Sequence, residues 1–226
     1  MIYTVTLNPA LDKTVQIPSF RLGEVNRISA MRTDPGGKGI NVSKVLRELG
    51  EPSVATAILG GAAGRKIESA LRALGIEGLY LFTGHETRTN LKIVDPTLHT
   101  NTDVNEPGAP ADEAVLSKLL TQLTGRLRPG DLVVLSGKAP AGAPDTLYRD
   151  WILACRAAGA AVYLDAEGEL LRQGVTAGPA LIKPNQAELS GVMGRPLTTE
   201  DETIRAAQEL LAQGVGCVAV TMGAGG

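Results

Sequence analysis

The sequence predicts an α/β protein with a mainly parallel sheet, helices on both faces of that sheet, and a smaller second sheet outside it. From residue 53 onward, apolar strand patterns alternate with helical patterns, which is typical of a parallel sheet. Strand patterns near residues 13–17, 24–33, 87–94 and 99–104 break this alternation and indicate the second sheet. The length of 226 residues fits one domain spanning residues 1–226, and 27 glycines indicate many tight turns.

The composition excludes several classes of protein. A net charge of -2, with 43% hydrophobic and 20% charged residues, argues against a disordered chain and against a nucleic-acid partner. The apolar runs are too short to span a bilayer, and no cationic leader precedes the first strand. Cys155 and Cys217 form neither a disulfide framework nor a metal motif, and we expect both to be buried thiols. We therefore expect a cytoplasmic protein without a membrane partner.

Each element has its own signal. Residues 2–7 form an apolar run, and Pro35-Gly36-Gly37 ends the early strand patterns. Apolar residues at helical spacing then predict a helix from Ile40 to Leu49, with Gly50 at its C-terminal end. Further along the chain, the predicted strands are 53–59, 131–135, 161–164, 180–183 and 216–221. The predicted helices are 64–74, 111–123, 144–158, 185–193 and 199–212.

The segment from Asp34 to Val42 is the first candidate binding motif. Glycines at a helix start let the backbone approach a ligand, and the free N–H groups suit an anion or hydroxyl groups. Asn41 could bond a ligand hydroxyl from the first turn. The segment is neither a Walker A loop nor a dinucleotide fingerprint, since Val42 stands where the third glycine would be. Taken alone, it could equally be a tight turn that caps a helix.

Several polar residues follow predicted strands, where parallel sheets bind ligands. Asp12 could accept hydrogen bonds from sugar hydroxyls or could be an ordinary turn residue. Arg27, Lys38 and Arg88 are cations that could bind a sugar phosphate or could be solvated surface charges. Candidates at the ends of later strands are Ser136, Lys183, Asn185 and Glu188. Asn185 and Glu188 could cap a helix or could handle phosphate, magnesium and water.

Together these segments resemble the PfkB (ribokinase-like) carbohydrate kinase family. The resemblance is strongest to the phosphosugar branch, which includes bacterial 1-phosphofructokinases and tagatose-6-phosphate kinases. It rests on five separated motifs in the right order. These are residues 4–12 (TVTLNPALD), 23–27 (GEVNR), 35–42 (PGGKGINV), 87–90 (TRTN) and 105–108 (NEPG). Lys183-Pro184-Asn185 with Glu188 is similar to the asparagine–glutamate motif of that family.

The resemblance implies a Rossmann-like domain with a β-sheet lid over the sugar. It also implies ATP and Mg²⁺ as cofactors, and residue roles by position. The implied sugar-binding residues are Asp12, Gly36, Gly37, Asn41 and Asn90, with Ser136 near the substrate. Arg88, together with Lys38 and Arg27, would face the substrate phosphate. The residues implied near the nucleotide and magnesium are Lys183, Asn185, Glu188 (acting on the metal through water), Thr221 and Gly223.

Two departures from the family pattern stand out. Lys138 occupies a position where a small residue is expected. The catalytic Gly-Ala-Gly-Asp loop of the family does not occur in residues 1–226, because Gly223-Ala224-Gly225-Gly226 lacks the aspartate. We therefore assign no catalytic residue within the sequence, and we expect the catalytic aspartate and the C-terminal part of the family fold to lie beyond residue 226.

The expected function is ATP-dependent phosphorylation of a ketohexose phosphate, fructose 1-phosphate to fructose 1,6-bisphosphate. The alternatives are a tagatose-6-phosphate kinase and a catalytically inactive sugar-phosphate-binding chain. A nicotinamide-dependent enzyme is disfavoured because no GxGxxG follows a strand. An apolar lid face that its own domain does not cover would mark a subunit contact, so we expect a homodimer through the lid.

Overall fold

The computed structural model describes residues 1–223 and contains two separate sheets. The larger sheet has six strands, and every neighbouring pair is parallel. In spatial order they are β10 (Leu181–Ile182), β9 (Ala161–Asp165), β8 (Leu132–Ser136), β1 (Ile2–Thr6), β4 (Ser53–Gly60) and β5 (Glu77–Thr83). The carboxyl ends of all six strands therefore meet at one edge, where Ser136, Asp165 and Lys183 lie.

Seven helices accompany this sheet in the described part of the chain. They are α1 (Lys38–Glu48), α2 (Gly61–Ala73), α3 (Glu113–Thr124), α4 (Leu147–Ala157), α5 (Gly168–Val175), α6 (Gln186–Met193) and α7 (Glu200–Ala212). The buried strand β4 shows that helices pack on both faces. Val54 and Ile58 belong to one core cluster with residues of α3 and α4, while Ala57 and Leu59 belong to another with residues of α1 and α2. This confirms the predicted arrangement.

The second sheet has four strands and is called the lid sheet below. Its spatial order is β3 (Ala30–Gly36), β2 (Ala10–Gln16), β6 (Thr89–Asp95) and β7 (Thr100–Val104). The pair β2–β6 is parallel, and the two outer pairs are antiparallel. The prediction of a separate sheet is confirmed. A small apolar cluster of Val15, Ile17 and Ile93 supports it.

One predicted lid strand is wrong in its first half. Residues 24–29 form no strand, and β3 begins at Ala30 and continues to Gly36, through a segment that we expected to end it. The Asn26 side chain explains the difference, because it bonds the backbone of Arg21 and Glu24 and so competes with ladder pairing. The alternating pattern at 24–29 therefore belongs to an exposed loop.

Other elements also differ from the sequence prediction. Strand β5 and helix α5 were missed, and the strand expected at 216–221 forms only the isolated bridges Ile182–Val218 and Asn185–Thr221. Pro184 has no N–H, so the ladder of backbone hydrogen bonds between residues 182–185 and 217–221 lacks one bond and no continuous strand forms there.

Cys217 is exposed, contrary to expectation, whereas Cys155 is buried and burial raises its pKa to about 12. None of the helices described here is both long and apolar enough to cross a membrane.

Candidate functional site

A cleft of about 490 Å³ opens at the carboxyl ends of the central strands, beside the lid sheet. Thr6 and Ser136 line it from β1 and β8, and Asn105, Glu106 and Pro107 line it from the segment after β7. The structure brings six of the predicted substrate residues to this cleft: Gly37, Lys38, Asn41, Arg88, Asn90 and Ser136. Residues separated by almost 100 positions in the sequence therefore share one polar cavity.

Asp12 and Asn90 form a pair near the N-terminal ends of the two central strands of the lid sheet. They lie side by side on β2 and β6, and Asn90 Nδ2 donates to Asp12 Oδ1 at 3.0 Å. The Oδ1 atom of the Asn90 side-chain amide is buried and has no hydrogen-bond partner. Asp12 lines a second cleft of about 530 Å³, which shares Asn90 and Asn105 with the first. The pair can thus offer hydroxyl acceptors to a ligand that extends between the two clefts.

The glycines before α1 allow close packing at its N-terminus. Gly37 precedes the helix with φ of 118°, a conformation that favours glycine. A Cβ at Gly39 would lie 2.5 Å from the Val5 carbonyl oxygen, so only glycine fits there. The Thr6 hydroxyl accepts a hydrogen bond from the Ile40 N–H at 2.9 Å. These contacts fix Lys38 and Asn41, in the first turn of α1, at the mouth of the cleft.

The Arg88 guanidinium is half-buried and bonds three backbone carbonyls. It donates to Asn8 at 3.2 Å, Pro9 at 3.3 Å and Glu106 at 3.0 Å. A guanidinium has five N–H donors, so two remain for a ligand. The Glu106 carboxylate also accepts from the Thr89 N–H at 2.8 Å. Arg88 therefore holds the loops of the cleft together as well as facing its interior.

The two residues before Arg88 anchor it to α2. The Glu86 carboxylate accepts hydrogen bonds from the N–H groups of Ala62 and Ala63, and these bonds lower its pKa. The Thr87 hydroxyl is buried and accepts from the Gly60 N–H at 2.9 Å. The start of α2 has no side-chain cap of its own, so Glu86 supplies one from the neighbouring loop. Sequence analysis did not identify this anchor.

Ser136 ends β8 with a hydroxyl that has no protein partner. The residue is 1% exposed, and its Oγ is buried without a hydrogen bond. A buried hydroxyl without a partner is costly, and a ligand in the cleft could satisfy it. This hydroxyl is therefore available to a ligand, and the position of Ser136 beside the substrate stays a prediction.

Asp165 lines neither cleft but pairs with the cleft residue Lys38, and sequence analysis did not identify it. It follows Leu164 at the end of β9, directly beside Ser136 in the register of the sheet. Its Oδ1 lies 3.2 Å from Lys38 Nζ and 3.5 Å from Lys183 Nζ. Lys138, which had no explanation from the sequence, pairs with Glu167 at 2.9 Å on the same side of the sheet. A strand-end aspartate after an apolar run was the available signal.

The predicted nucleotide residues continue this edge of the sheet. The Asn185 and Glu188 side chains form a reciprocal capping box at the start of α6, with both bonds at 2.8 Å. The capping interpretation is therefore confirmed. Thr221 pairs with Asn185 through an isolated bridge, and Gly223 is the last described residue. The remainder of the predicted glycine-rich end, residues 224–226, lies outside the described residues.

Within residues 1–223, no group of three or more His, Cys, Asp or Glu side chains is arranged to hold a metal ion. Glu188 uses Oε2 for the cap, which leaves its other oxygen for water. Mg²⁺ usually keeps several waters and takes phosphate oxygens with one or two carboxylates, so this donor set fits an indirect role.

Arg27 is separate from the cleft in this chain. It is exposed on the loop between β2 and β3 and does not line either cleft. The same loop exposes Leu22 at 90% and Val25 at 85%. The structure therefore does not place Arg27 beside Arg88 within one chain.

Comparisons with known proteins identify the family of this chain. The model of the pfkB family carbohydrate kinases matches residues 5–226. A 1-phosphofructokinase of Rhodobacter capsulatus is 42% identical over 226 residues, which cover 100% of this chain and 72% of that protein. A 1-phosphofructokinase of Xanthomonas campestris is 38% identical over 227 residues, 99% of this chain and 71% of that protein.

Solved structures show the same fold. Phosphofructokinase-2 from Escherichia coli in complex with fructose-6-phosphate has a TM-score of 0.92 and 32% identity, covering 98% of this chain and 74% of that chain. A tetrameric inhibited form of the Escherichia coli enzyme also has a TM-score of 0.92 and 32% identity, covering 98% of this chain and 73% of that chain. The family match spans nearly the whole sequence, and the relatives exceed 30% identity over its full length. This chain therefore belongs to the pfkB family of carbohydrate kinases, as a sugar kinase of the phosphofructokinase type.

Proposed function

We propose that this protein transfers the γ-phosphoryl group of ATP to a ketohexose phosphate, converting fructose 1-phosphate to fructose 1,6-bisphosphate. The observation that carries the proposal is the polar cleft, in which Ser136 Oγ is buried without a partner and Arg88 retains free N–H donors. The relatives named 1-phosphofructokinase support the choice of sugar.

The sugar would lie between the lid sheet and the carboxyl ends of β1 and β8. Asp12 and Asn90 supply acceptors for its hydroxyl groups. The backbone at Gly37 lets the sugar approach closely, whereas Gly36 lines neither cleft and acts by leaving room for the Asp12 carboxylate. Asn41 and Ser136 are further hydroxyl partners. Arg88 and Lys38 would face the phosphate already on the sugar, since guanidinium and ammonium groups bind phosphate strongly. Arg27 remains a proposed phosphate residue only if another chain supplies it.

The nucleotide would lie further along the same edge. Lys183 and Asn185, with Thr221 and Gly223, would face its phosphates, and Glu188 would act on Mg²⁺ through water. Bound Mg²⁺ supplies charge neutralisation at the phosphate oxygens during phosphoryl transfer. In the reaction, the acceptor hydroxyl oxygen bonds to the γ-phosphorus, the bond to the β–γ bridging oxygen breaks, and ADP leaves. The hydroxyl proton passes to a general base. We assign that role to no residue of this chain, because residues 1–226 contain no Gly-Ala-Gly-Asp sequence.

A substrate panel tests this proposal. We expect calorimetric titration to show the tightest binding for fructose 1-phosphate, ahead of fructose 6-phosphate and tagatose 6-phosphate. A coupled ADP-release assay on the same samples separates a kinase from a sugar-phosphate-binding chain without turnover. Preference for tagatose 6-phosphate would support the alternative kinase, and no binding of any sugar phosphate would contradict both.

We also propose that two copies associate through the lid sheet. Exposed apolar side chains lie on the loop between β2 and β3 and on both edge strands of this sheet, namely Leu22, Val25, Ile28, Met31 and Val104. Exposed apolar surface that its own chain does not cover favours association, and a twofold arrangement is the commonest solution. A cytoplasmic location remains a prediction from the sequence.

A further inference from the structure

Asp165 lies between two lysines that come from different parts of the chain. Lys38 is the first residue of α1, and Lys183 follows β10, yet both ammonium groups approach the same carboxylate oxygen, at 3.2 and 3.5 Å. The Asp165 side chain is 22% exposed, whereas the two lysine side chains are 47% and 45% exposed. The carboxylate is thus the most buried member of the trio.

The backbone around Asp165 is rigidly held. Its carbonyl accepts from the Gly137 N–H at 2.9 Å, and the Lys183 N–H donates to the Leu164 carbonyl at 3.2 Å. The Lys38 aliphatic stem approaches Gly137, since a Cβ there would lie 3.6 Å from Lys38 Cβ. The buried Tyr148 hydroxyl donates to the Gly137 carbonyl at 3.0 Å. A fixed carboxylate can therefore orient two flexible ammonium groups.

We propose that Asp165 is a positioning residue that orients Lys38 toward the sugar side of the cleft and Lys183 toward the nucleotide side. This inference rests on the function proposed above for the two sides. Lysine is a flexible point charge with no preferred fork geometry, so without a partner it samples many orientations. Two ammonium groups near each other also repel, and the shared carboxylate offsets that repulsion.

This arrangement predicts a pattern across variants rather than one loss. Lys38→Met should weaken binding of fructose 1-phosphate only, and Lys183→Met should weaken binding of Mg²⁺ with a nonhydrolysable ATP analogue only. Asp165→Asn should weaken both, by roughly two- to 100-fold, the range for residues in direct contact. For the sugar phosphate, Asp165→Asn combined with Lys38→Met should be no weaker than Lys38→Met alone. Tighter binding of both ligands by Asp165→Asn would show that its negative charge only opposes anions and would overturn the proposal.

A ligand-free measurement tests the positioning directly. NMR of lysine ammonium groups detects those whose exchange with water is slowed by ion pairing. We expect Asp165→Asn to abolish the signals of Lys38 and Lys183 and to leave that of Lys138, which pairs with Glu167. The matched control Glu167→Gln should do the reverse. Unchanged Lys38 and Lys183 signals in Asp165→Asn would refute the positioning role, whether or not the parent protein binds sugar phosphate.

The two experiments separate the possible failures. A parent protein that binds neither ligand contradicts the proposed function, and the NMR result then decides the positioning role alone. A parent that binds both ligands, with unchanged affinities in Asp165→Asn, contradicts the positioning role alone. Asp165→Glu retains the charge and should recover part of both affinities, and thermal melting of each variant checks that its fold is intact.

Discussion

The Asp12 carboxylate occupies the space that a side chain at residue 36 would need. A Cβ built on Gly36 would lie 2.0 Å from Asp12 Oδ2, and Asn90 holds the same carboxylate from the other side. Gly36 has no positive φ, so its role is space rather than backbone conformation. The glycine and the aspartate, which the sequence presented as separate motifs, are therefore one feature of the cleft.

Gly36→Ala should displace Asp12 and weaken sugar-phosphate binding. Because the crowded atom is the end of a side chain, the fold should survive at a cost of about 1–3 kcal/mol. Calorimetry with fructose 1-phosphate and thermal melting measure the two effects. Gly191→Ala, in α6 with open space around it, is the control and should leave binding unchanged. Parental affinity in Gly36→Ala would disprove the coupling.

Glu86→Ala should weaken sugar-phosphate binding even though Glu86 does not line the cleft that contains Arg88. The change deletes the carboxylate that receives the Ala62 and Ala63 N–H groups, so the loop that carries Arg88 loses its anchor. We expect a lower melting temperature and a weaker titration with fructose 1-phosphate. Glu68→Ala removes a half-buried acid of α2 whose partner is the exposed Arg72, and it serves as the control. If both variants bind like the parent, Glu86 does not position Arg88.

Asp131 should contribute a pH-dependent share of stability. The Met1 amino group donates to Asp131 Oδ1 at 2.7 Å. This bond lowers the pKa of the buried carboxyl by more than burial raises it. Its folded-state pKa is thus below the unfolded value of about 3.9. The stabilisation is present above that value and is lost as pH falls through the folded pKa.

Asp131→Asn should therefore destabilise the protein at pH 7, by about 1.5–3 kcal/mol for a charged hydrogen bond. The difference from the parent should shrink as the pH falls below about 4. Urea unfolding at several pH values measures this difference in stability. Asp145→Asn, which changes an exposed aspartate, is the control. A difference that stayed constant with pH would contradict the assigned ion pair.

The lid surface should hold two copies together. Leu22→Glu with Val25→Glu places charges on the most exposed apolar residues of the loop between β2 and β3. We expect the parent to scatter light as a dimer and this variant as a monomer. Leu49→Glu charges an exposed residue at the end of α1 and should leave the dimer intact. A monomeric parent would rule out this interface.

Patterns in the sequence predicted most of the fold but only part of the cleft. Buried strands such as β4 were predictable because they are short apolar runs in which no side chain bonds the local backbone in place of a neighbouring strand. The loop at 24–29 was not, since a side-chain amide pairs with the backbone there. Roles that arise from distant contacts could not be read either. Asp165 acquires its role only where β9 meets Lys38 and Lys183, and Lys138 finds its partner only through the fold.

The most direct test of the account is titration of fructose 1-phosphate and of unphosphorylated fructose into the parent and Arg88→Ala. We predict that Arg88→Ala weakens fructose 1-phosphate binding by about 2 kcal/mol or more, while its affinity for fructose falls far less. Arg126→Ala, an exposed guanidinium paired with Glu77 at the opposite edge of the sheet, is the control and should match the parent. An equal loss for both ligands in Arg88→Ala would assign the residue to loop structure alone, and unchanged fructose 1-phosphate affinity would contradict the proposed phosphate site.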